Sequence, residues 1–213
     1  YGGLVSGDTL TGTYSGVFNN ANVGSGKTVT ITSSYSGADV NNYTITDQTS
    51  TTADITKRSL VLAIFSASDK VYDGDNTVTT SSSISGYVGS ETISHSLTAT
   101  FDNKNVGSSK TVTVNSVSLS DGTNGGLALN YSISSGQTTT ADVTAKSLTV
   151  SGITASDKTY DGSTSATMDG TLAVYSGLVS GDTLTGTYSG VFDNANVGTG
   201  KTVTITSSYS CLL

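Results

Sequence analysis

The 213-residue chain has no proline and no tryptophan, and only one each of cysteine, histidine, glutamate and methionine. A lone cysteine, Cys211, cannot close an internal disulfide, so the fold must hold by other means. Near-freedom from cysteine suits a surface-exposed chain that does without disulfide help. With helix formers this scarce, the expected class is all-β with little or no helix. Positive charge is also short. Nine residues are basic, the net charge is −7, and the only adjacent basic pair is Lys57-Arg58. Nucleic-acid binding needs a clustered basic footprint, so that class is excluded. No apolar run approaches the roughly 18 residues of a membrane span. No secretion signal is visible, and Tyr1 is not a natural start, so targeting segments are expected outside these residues.

What the chain does have is hydroxyl, with 38 Thr and 36 Ser, together with 25 Gly, and Val as its commonest apolar residue. Such a mixture favours strands joined by tight turns. It is also written repetitively. Residues 18–31 read FNNANVGSGKTVTI, 101–114 read FDNKNVGSSKTVTV, and 192–205 read FDNANVGTGKTVTI. Tyr72-Asp73-Gly74 recurs as Tyr160-Asp161-Gly162, Asn42-Tyr43 as Asn130-Tyr131, and Thr52-Ala53-Asp54 as Thr140-Ala141-Asp142, each 88 residues on. The motif-opening Phe sits at 18, 101 and 192, so insertions and deletions fall between fixed landmarks, as surface loops allow.

The repeat boundaries follow. Residues 57–145 form one complete repeat, 1–56 the later part of a preceding one, and 146–213 the earlier part of a following one. Residues 1–36 and 175–210 differ only at Gly2/Ser176, Asn19/Asp193 and Ser25/Thr199, which points to recent duplication within a longer array.

Alternating apolar and hydroxyl residues predict strands around 10–18 and 28–32. Further strands are expected at 59–66, 76–81, 129–133 and 138–144, with turns at Ser6-Gly7-Asp8, Asp73-Gly74 and Asn124-Gly125-Gly126. Six or seven short strands in about 88 residues fit a small β-sandwich-like module, repeated along an elongated rod. A β-solenoid is the alternative, although its repeat is usually near 20–30 residues.

The segments SASDKVYDGD (66–75) and TASDKTYDGS (154–163), followed by FDNKNVG or FDNANVG, then NYSI and TADVTAKSLTV, resemble the YDG-type repeat of large bacterial surface proteins, including filamentous-haemagglutinin-like adhesins. The resemblance covers essentially the whole chain. It implies secretion, tandem arrangement and a stalk or adhesive role at the bacterial surface, and it implies no active site.

The reactive residues fit that picture. His95 aligns with Gly12 and Gly186, so a catalytic role common to the repeats is excluded and His95 is expected to be dispensable. Glu91 aligns with Asp8 and Asp182; a turn-capping carboxylate is the plain reading and a calcium ligand the functional one. Asp73, Asp75 and Asp121 are the residues that could serve calcium, beside Asn76 and Asn124, but Asp75 becomes Ser163 one repeat on. Tyr72 and Tyr160 are expected in the core. Lys27, Lys110 and Lys201 recur near Asn22, Asn105 and Asn196; this is too local for a Lys–Asn cross-link and reads as a solvated hairpin lysine. Asn42-Tyr43-Thr44 and Asn130-Tyr131-Ser132 match the glycosylation acceptor pattern, and their recurrence equally suits a structural Asn-Tyr pair.

No catalytic residue and no cofactor is assigned, and the chain is not expected to be an enzyme. The function expected is a structural repeat array of an extracellular adhesin or surface filament, partnered by neighbouring repeats or copies of itself. The alternative is that repeats themselves bind host or matrix glycans or proteins. Segment 37–56 of one chain could also complete 146–210 of the next, whereas Cys211-Leu212-Leu213 departs from Gly37-Ala38-Asp39.

Overall fold

A computed structural model describes residues 1–211; Leu212 and Leu213, where the sequence departs from the repeat, lie outside them. Among the described residues the regular structure is strand, with two three-residue 3-10 turns at Val40–Asn42 and Ala128–Asn130. The all-β expectation holds. Strands Thr11–Phe18 and Gly24–Ser36 form an antiparallel hairpin, and Ser50–Ile55 pairs with the far edge of the second. In the third repeat, Leu184–Phe192 and Val203–Cys211 form the matching hairpin.

Two compact units can be distinguished, and neither coincides with a repeat. One comprises Tyr1–Phe65, Ser81–Thr98 and Val114–Gln137; the other comprises Ser66–Thr80, Ala99–Thr113 and Thr138 onward. Each therefore combines part of the complete repeat with one of its incomplete neighbours.

In the first unit, Leu60, Ile84, Ile93 and Tyr131 form a buried cluster that Leu62, Tyr87, Leu119 and Ile133 complete. Arg58–Ser59 and Tyr131–Ser132 pair in parallel, which joins the start of the complete repeat to its later part. In the second unit, Thr138–Thr144 lies between two partners. On one side it pairs antiparallel with the start of Gly107–Asp121, and on the other in parallel with Lys70–Val71. Phe101, Val112, Ala141 and Val143 are buried there. Removing each of the larger side chains from water contributes about 1.5–3 kcal/mol.

Two strand boundaries differ from expectation. The strand expected at 76–81 runs Thr80–Ser85, because Asp75 accepts from the Thr77 amide and ties residues 75–77 into a turn. The strand expected at 129–133 shortens to Tyr131–Ser132, because Ala128–Asn130 close a 3-10 turn.

His95 illustrates how the repeats adjust to one another. A Cβ at Gly12 would run into the hydroxyls of Tyr14 and Tyr1, and one at Gly186 into those of Tyr188 and Tyr175. The two tyrosine pairs are hydrogen-bonded, at 2.9 and 2.8 Å. In the complete repeat the positions equivalent to Tyr1 and Tyr14 are Ile84 and Leu97, and neither can extend a hydroxyl over residue 95. His95 takes that space and bonds the Ser82 hydroxyl at 2.9 Å.

We expect His95→Gly to cost about 1–2 kcal/mol, from strand glycine entropy and the lost hydrogen bond. Combined with Leu97→Tyr it should be less destabilising than the sum of the single changes by more than about 0.5 kcal/mol. Denaturant melts of the four proteins check this; strict additivity would refute the exchange.

Candidate interaction surface

Each repeat contains a short turn that ends in an acid: Val5-Ser6-Gly7-Asp8, Val88-Gly89-Ser90-Glu91 and Val179-Ser180-Gly181-Asp182. In all three the acid's amide donates to the valine carbonyl, so the backbone closes itself and the carboxylate is left for other partners. The Tyr43 hydroxyl donates to Asp8 at 2.6 Å and accepts from the Val5 amide at 3.0 Å. The Tyr131 hydroxyl does the same with Glu91 and the Val88 amide. The acid is thus a tyrosine acceptor rather than a cap of its own turn. Nothing in the local sequence indicates this, since the partners lie 35 and 40 residues apart.

The third turn uses a tyrosine from the preceding repeat. Tyr72 donates to Asp182 at 3.1 Å, and the Lys104 ammonium stands 3.9 Å from the same carboxylate. Gly74, at φ +93°, approaches a Val179 methyl so closely that a Cβ would collide with it. The Tyr-Asp-Gly turn of the complete repeat therefore seats on the acid turn of the third. In the first unit the corresponding join uses Asn22 and Val23. The Val23 amide donates to the Asn130 side chain at 2.8 Å, and Asn130 in turn donates to Asn22 at 3.0 Å. Asn130 thus serves as a junction residue. Tyr72 is half-buried, whereas Tyr160 is 65% exposed, so the core position expected for Tyr160 is corrected.

Two of the residues that could serve calcium, Asp73 and Asp75, surround an ammonium. Lys70 Nζ lies 2.7 Å from Asp73 and 2.9 Å from Asp75, and it donates to the Thr77 carbonyl at 3.0 Å. Asp121 belongs to the other unit, where it accepts from the Ala128 amide at 2.7 Å. No group of three or more potential metal-ligating side chains occurs among the described residues. In the third repeat Lys158 bonds Asp161 and both the carbonyl and the hydroxyl of Ser163, so serine replaces Asp75 without opening the cage.

The second lysine set staples the hairpin turn. Lys27, Lys110 and Lys201 donate to Asn20, Asn103 and Asn194, and the last two also pair with Asp102 and Asp193. The solvated hairpin lysine expected from spacing is corrected. Lys110 is only 9% exposed and lies opposite Ala141 of the strand Thr138–Thr144.

Taken together, these bonds define an all-β chain whose recurring turns are closed by lysine and whose repeats join through a tyrosine, an acid and an asparagine. The chain belongs to the YDG domain family, whose model matches residues 1–52, 56–141 and 144–211. No curated protein and no solved structure matches it. No helix among the described residues is long and apolar enough to cross a membrane.

The lysine cages set the response to acid. Lys158 and the Ser163 amide hold Asp161 down to about 2. The hydrogen bond from Lys70 lowers Asp73, and those from Lys110 and Lys201 lower Asp102 and Asp193. A depressed folded-state value gives stability that is present above the unfolded carboxylate range and lost as pH falls through the folded value. Stability should therefore hold at neutral pH and decline from about pH 4 towards 2. Asp182 raises Tyr72 above 10.0, so the Tyr72 contribution should be lost at the alkaline end instead. Melting midpoints from pH 2 to 11, with Asp161→Asn flattening the acid limb, check both signs.

The buried staple should be asymmetric. We expect Lys110→Met to change stability by less than about 1.5 kcal/mol. Asp102→Ala combined with Asn103→Ala, which strands the ammonium, should cost about 3 kcal/mol or more. Equal costs in urea titrations would contradict this account.

Proposed function

We propose that this chain is part of a structural repeat array in an extracellular bacterial adhesin or surface filament, where it serves as stalk or matrix-forming fibre. One observation carries the reading: each compact unit is built from two successive repeats, joined by side chains of the recurring motifs. The Asn22–Asn130 and Tyr72–Asp182 contacts give each repeat a specific grip on the next. In a solenoid-like chain, nearest-neighbour interfaces of this kind set rigidity. An all-β chain whose sequence repeats and is rich in Thr and Ser agrees with a role in which length is the product.

The test is solution scattering on the 213-residue chain. A tandem rod requires a radius of gyration well above the roughly 17 Å of a compact globule of this size. A value near that figure would remove the rod. Replacing Asp182 with Ala should weaken the second junction and broaden the distance distribution without unfolding the complete repeat.

A second reading has its own support. Tyr1, Tyr14 and Tyr35 pack edge to face, as do Tyr175, Tyr188 and Tyr209, and Tyr1, Tyr14 and Tyr209 are substantially exposed. Aromatic clusters of this kind could hold a glycan, so that the repeats themselves would be the adhesive element. Saturable binding on a glycan array, lost in Tyr14→Ala, would favour this reading over the stalk.

A further inference from the structure

Two tyrosine pairs stand where the complete repeat has Ile84 and Leu97. The Tyr1 and Tyr14 hydroxyls lie 2.9 Å apart, and those of Tyr175 and Tyr188 lie 2.8 Å apart. Each pair spans 13 residues and brackets an acid turn, Val5-Ser6-Gly7-Asp8 or Val179-Ser180-Gly181-Asp182. Glycine makes the approach possible, because both hydroxyls of a pair crowd the place where a side chain at Gly12 or Gly186 would begin. A third tyrosine packs edge to face on each pair. Tyr35 lies 6.2 Å, centroid to centroid, from both Tyr1 and Tyr14, and Tyr209 lies 6.3 Å from Tyr175 and 6.4 Å from Tyr188. The Tyr35 hydroxyl is already engaged, since it donates to Asp47 at 2.6 Å. The paired hydroxyls are thus left to each other.

A hydroxyl–hydroxyl contact between phenols permits chemistry that a phenol on a carboxylate does not. One-electron oxidation of a phenol spreads the unpaired electron onto the two ring carbons beside the one that bears oxygen. Each of those carbons is two bonds from its oxygen, so touching oxygens bring ortho carbons of two rings within a small side-chain rotation of each other. The hydroxyls of Tyr43, Tyr72 and Tyr131 face carboxylates instead. Tyr14 is exposed, and Tyr175 and Tyr188 are half-buried, so a small oxidant can reach both pairs. The hydrogen bond with Tyr175 raises Tyr188 to about 12, so that hydroxyl is protonated at neutral pH and its proton must leave with the electron.

We propose that Tyr1–Tyr14 and Tyr175–Tyr188 are sites of dityrosine cross-linking, driven by hydrogen peroxide acting through a haem peroxidase. Each phenol gives up one electron and its hydroxyl proton. The two radicals join through a carbon–carbon bond between ortho positions. Each ortho hydrogen then leaves as a proton while a proton returns to each oxygen, which restores both aromatic rings. The pair has lost two hydrogen atoms in all, and the peroxide, taking up two electrons and two protons, becomes two waters. The bond would tie strand Val174–Ser176 to strand Leu184–Phe192 across the turn whose Asp182 receives Tyr72. It would thereby hold covalently the segment that grips the preceding repeat. The chemistry rests on the tyrosine geometry and is independent of both the stalk and the glycan reading.

The test treats the full chain, dilute, with hydrogen peroxide and a haem peroxidase, then digests it with trypsin after denaturation. Peptides 1–27 and 159–201 each contain both members of a pair, whereas Tyr35 and Tyr209 fall in 28–57 and 202–213. We expect dityrosine fluorescence, with peptides 1–27 and 159–201 each lighter by two hydrogens. Peptide 71–104, which carries Ile84 and Leu97, should keep its mass. Tyr14→Phe, which keeps the ring and removes the oxidisable hydroxyl, should abolish the loss in 1–27 alone, and Tyr188→Phe that in 159–201 alone. The oxidised chain should also unfold at a higher urea midpoint, since a bridge over such a loop restricts the unfolded chain. Should a variant fold poorly, the three peptides of the unaltered chain decide by themselves. No loss of hydrogen from 1–27 or 159–201, bridges running only to Tyr35 or Tyr209 or only between chains, the same loss in the Phe variants, or an unmoved midpoint would overturn the proposal.

Discussion

Burial around the hairpin lysine is most complete where one strand is paired on both of its edges. Where Thr138–Thr144 sits between the Lys70–Val71 strand and the Gly107 turn, Lys110, Phe101, Val112 and Val143 leave solvent together. Their equivalents in the neighbouring repeats keep more exposure. In the first repeat, Ser50–Ile55 pairs on one side only, and Ala53 stays exposed where Ala141 is buried. In the third repeat neither side is paired. Among the described residues, the apolar side chains that reach full burial lie between Leu60 and Val143, inside the one repeat that contains all its strands. For so hydroxyl-rich a chain this follows from supply: apolar residues are too few to bury much surface until every strand of a repeat is in place.

The second economy concerns charge. Nine basic residues are available, and five of the lysines close two recurrent turns. Each such ammonium is gripped by side-chain oxygens, and Lys70 and Lys158 by carbonyls as well. Such a cage gives a loop the geometric definition that a bound metal or a proline would otherwise supply. Because the cage needs oxygens rather than a second carboxylate, Asp75 can become Ser163. Likewise Asn19 can stand where Asp102 and Asp193 do, since Asn20, Asn103 and Asn194 supply the constant acceptor.

Strand class, the repeat period and the turn positions were legible in the sequence because they depend on local chemistry: alternation, glycine at positive φ, and self-similarity. Strand Thr138–Thr144 falls on the residues that alternation marks. The pairing of Tyr43 with Asp8 was not legible, since it joins segments that no local rule relates. The lysine partners were missed for a different reason. Spacing read as a solvated hairpin lysine, but the turn directs the ammonium to Asn20. The division into compact units was also hidden. A repeat is a unit of inheritance, whereas contact follows packing, and packing shares separate stretches of the complete repeat between its two neighbours.

The acid turn is where these levels meet. Within a repeat it receives Tyr43 or Tyr131 together with the valine amide of its own turn. Across repeats it receives Tyr72, with Gly74 packed on the neighbouring valine. An ionised carboxylate has two oxygens and about four acceptor positions, so one tyrosine does not exhaust it. The two uses are compatible at a single acid: one hydroxyl can anchor the repeat's own chain while another ties in the preceding repeat. On this view the three letters of the Tyr-Asp-Gly motif have separable duties. Tyr72 reaches the next repeat, Asp73 holds Lys70 to fix the turn, and Gly74 permits both the left-handed bend and the close approach. At Tyr160-Asp161-Gly162 the internal duty is met in the same way. Asp161 still holds Lys158, Tyr160 faces solvent, and nothing lies within 4 Å of where a Gly162 side chain would begin.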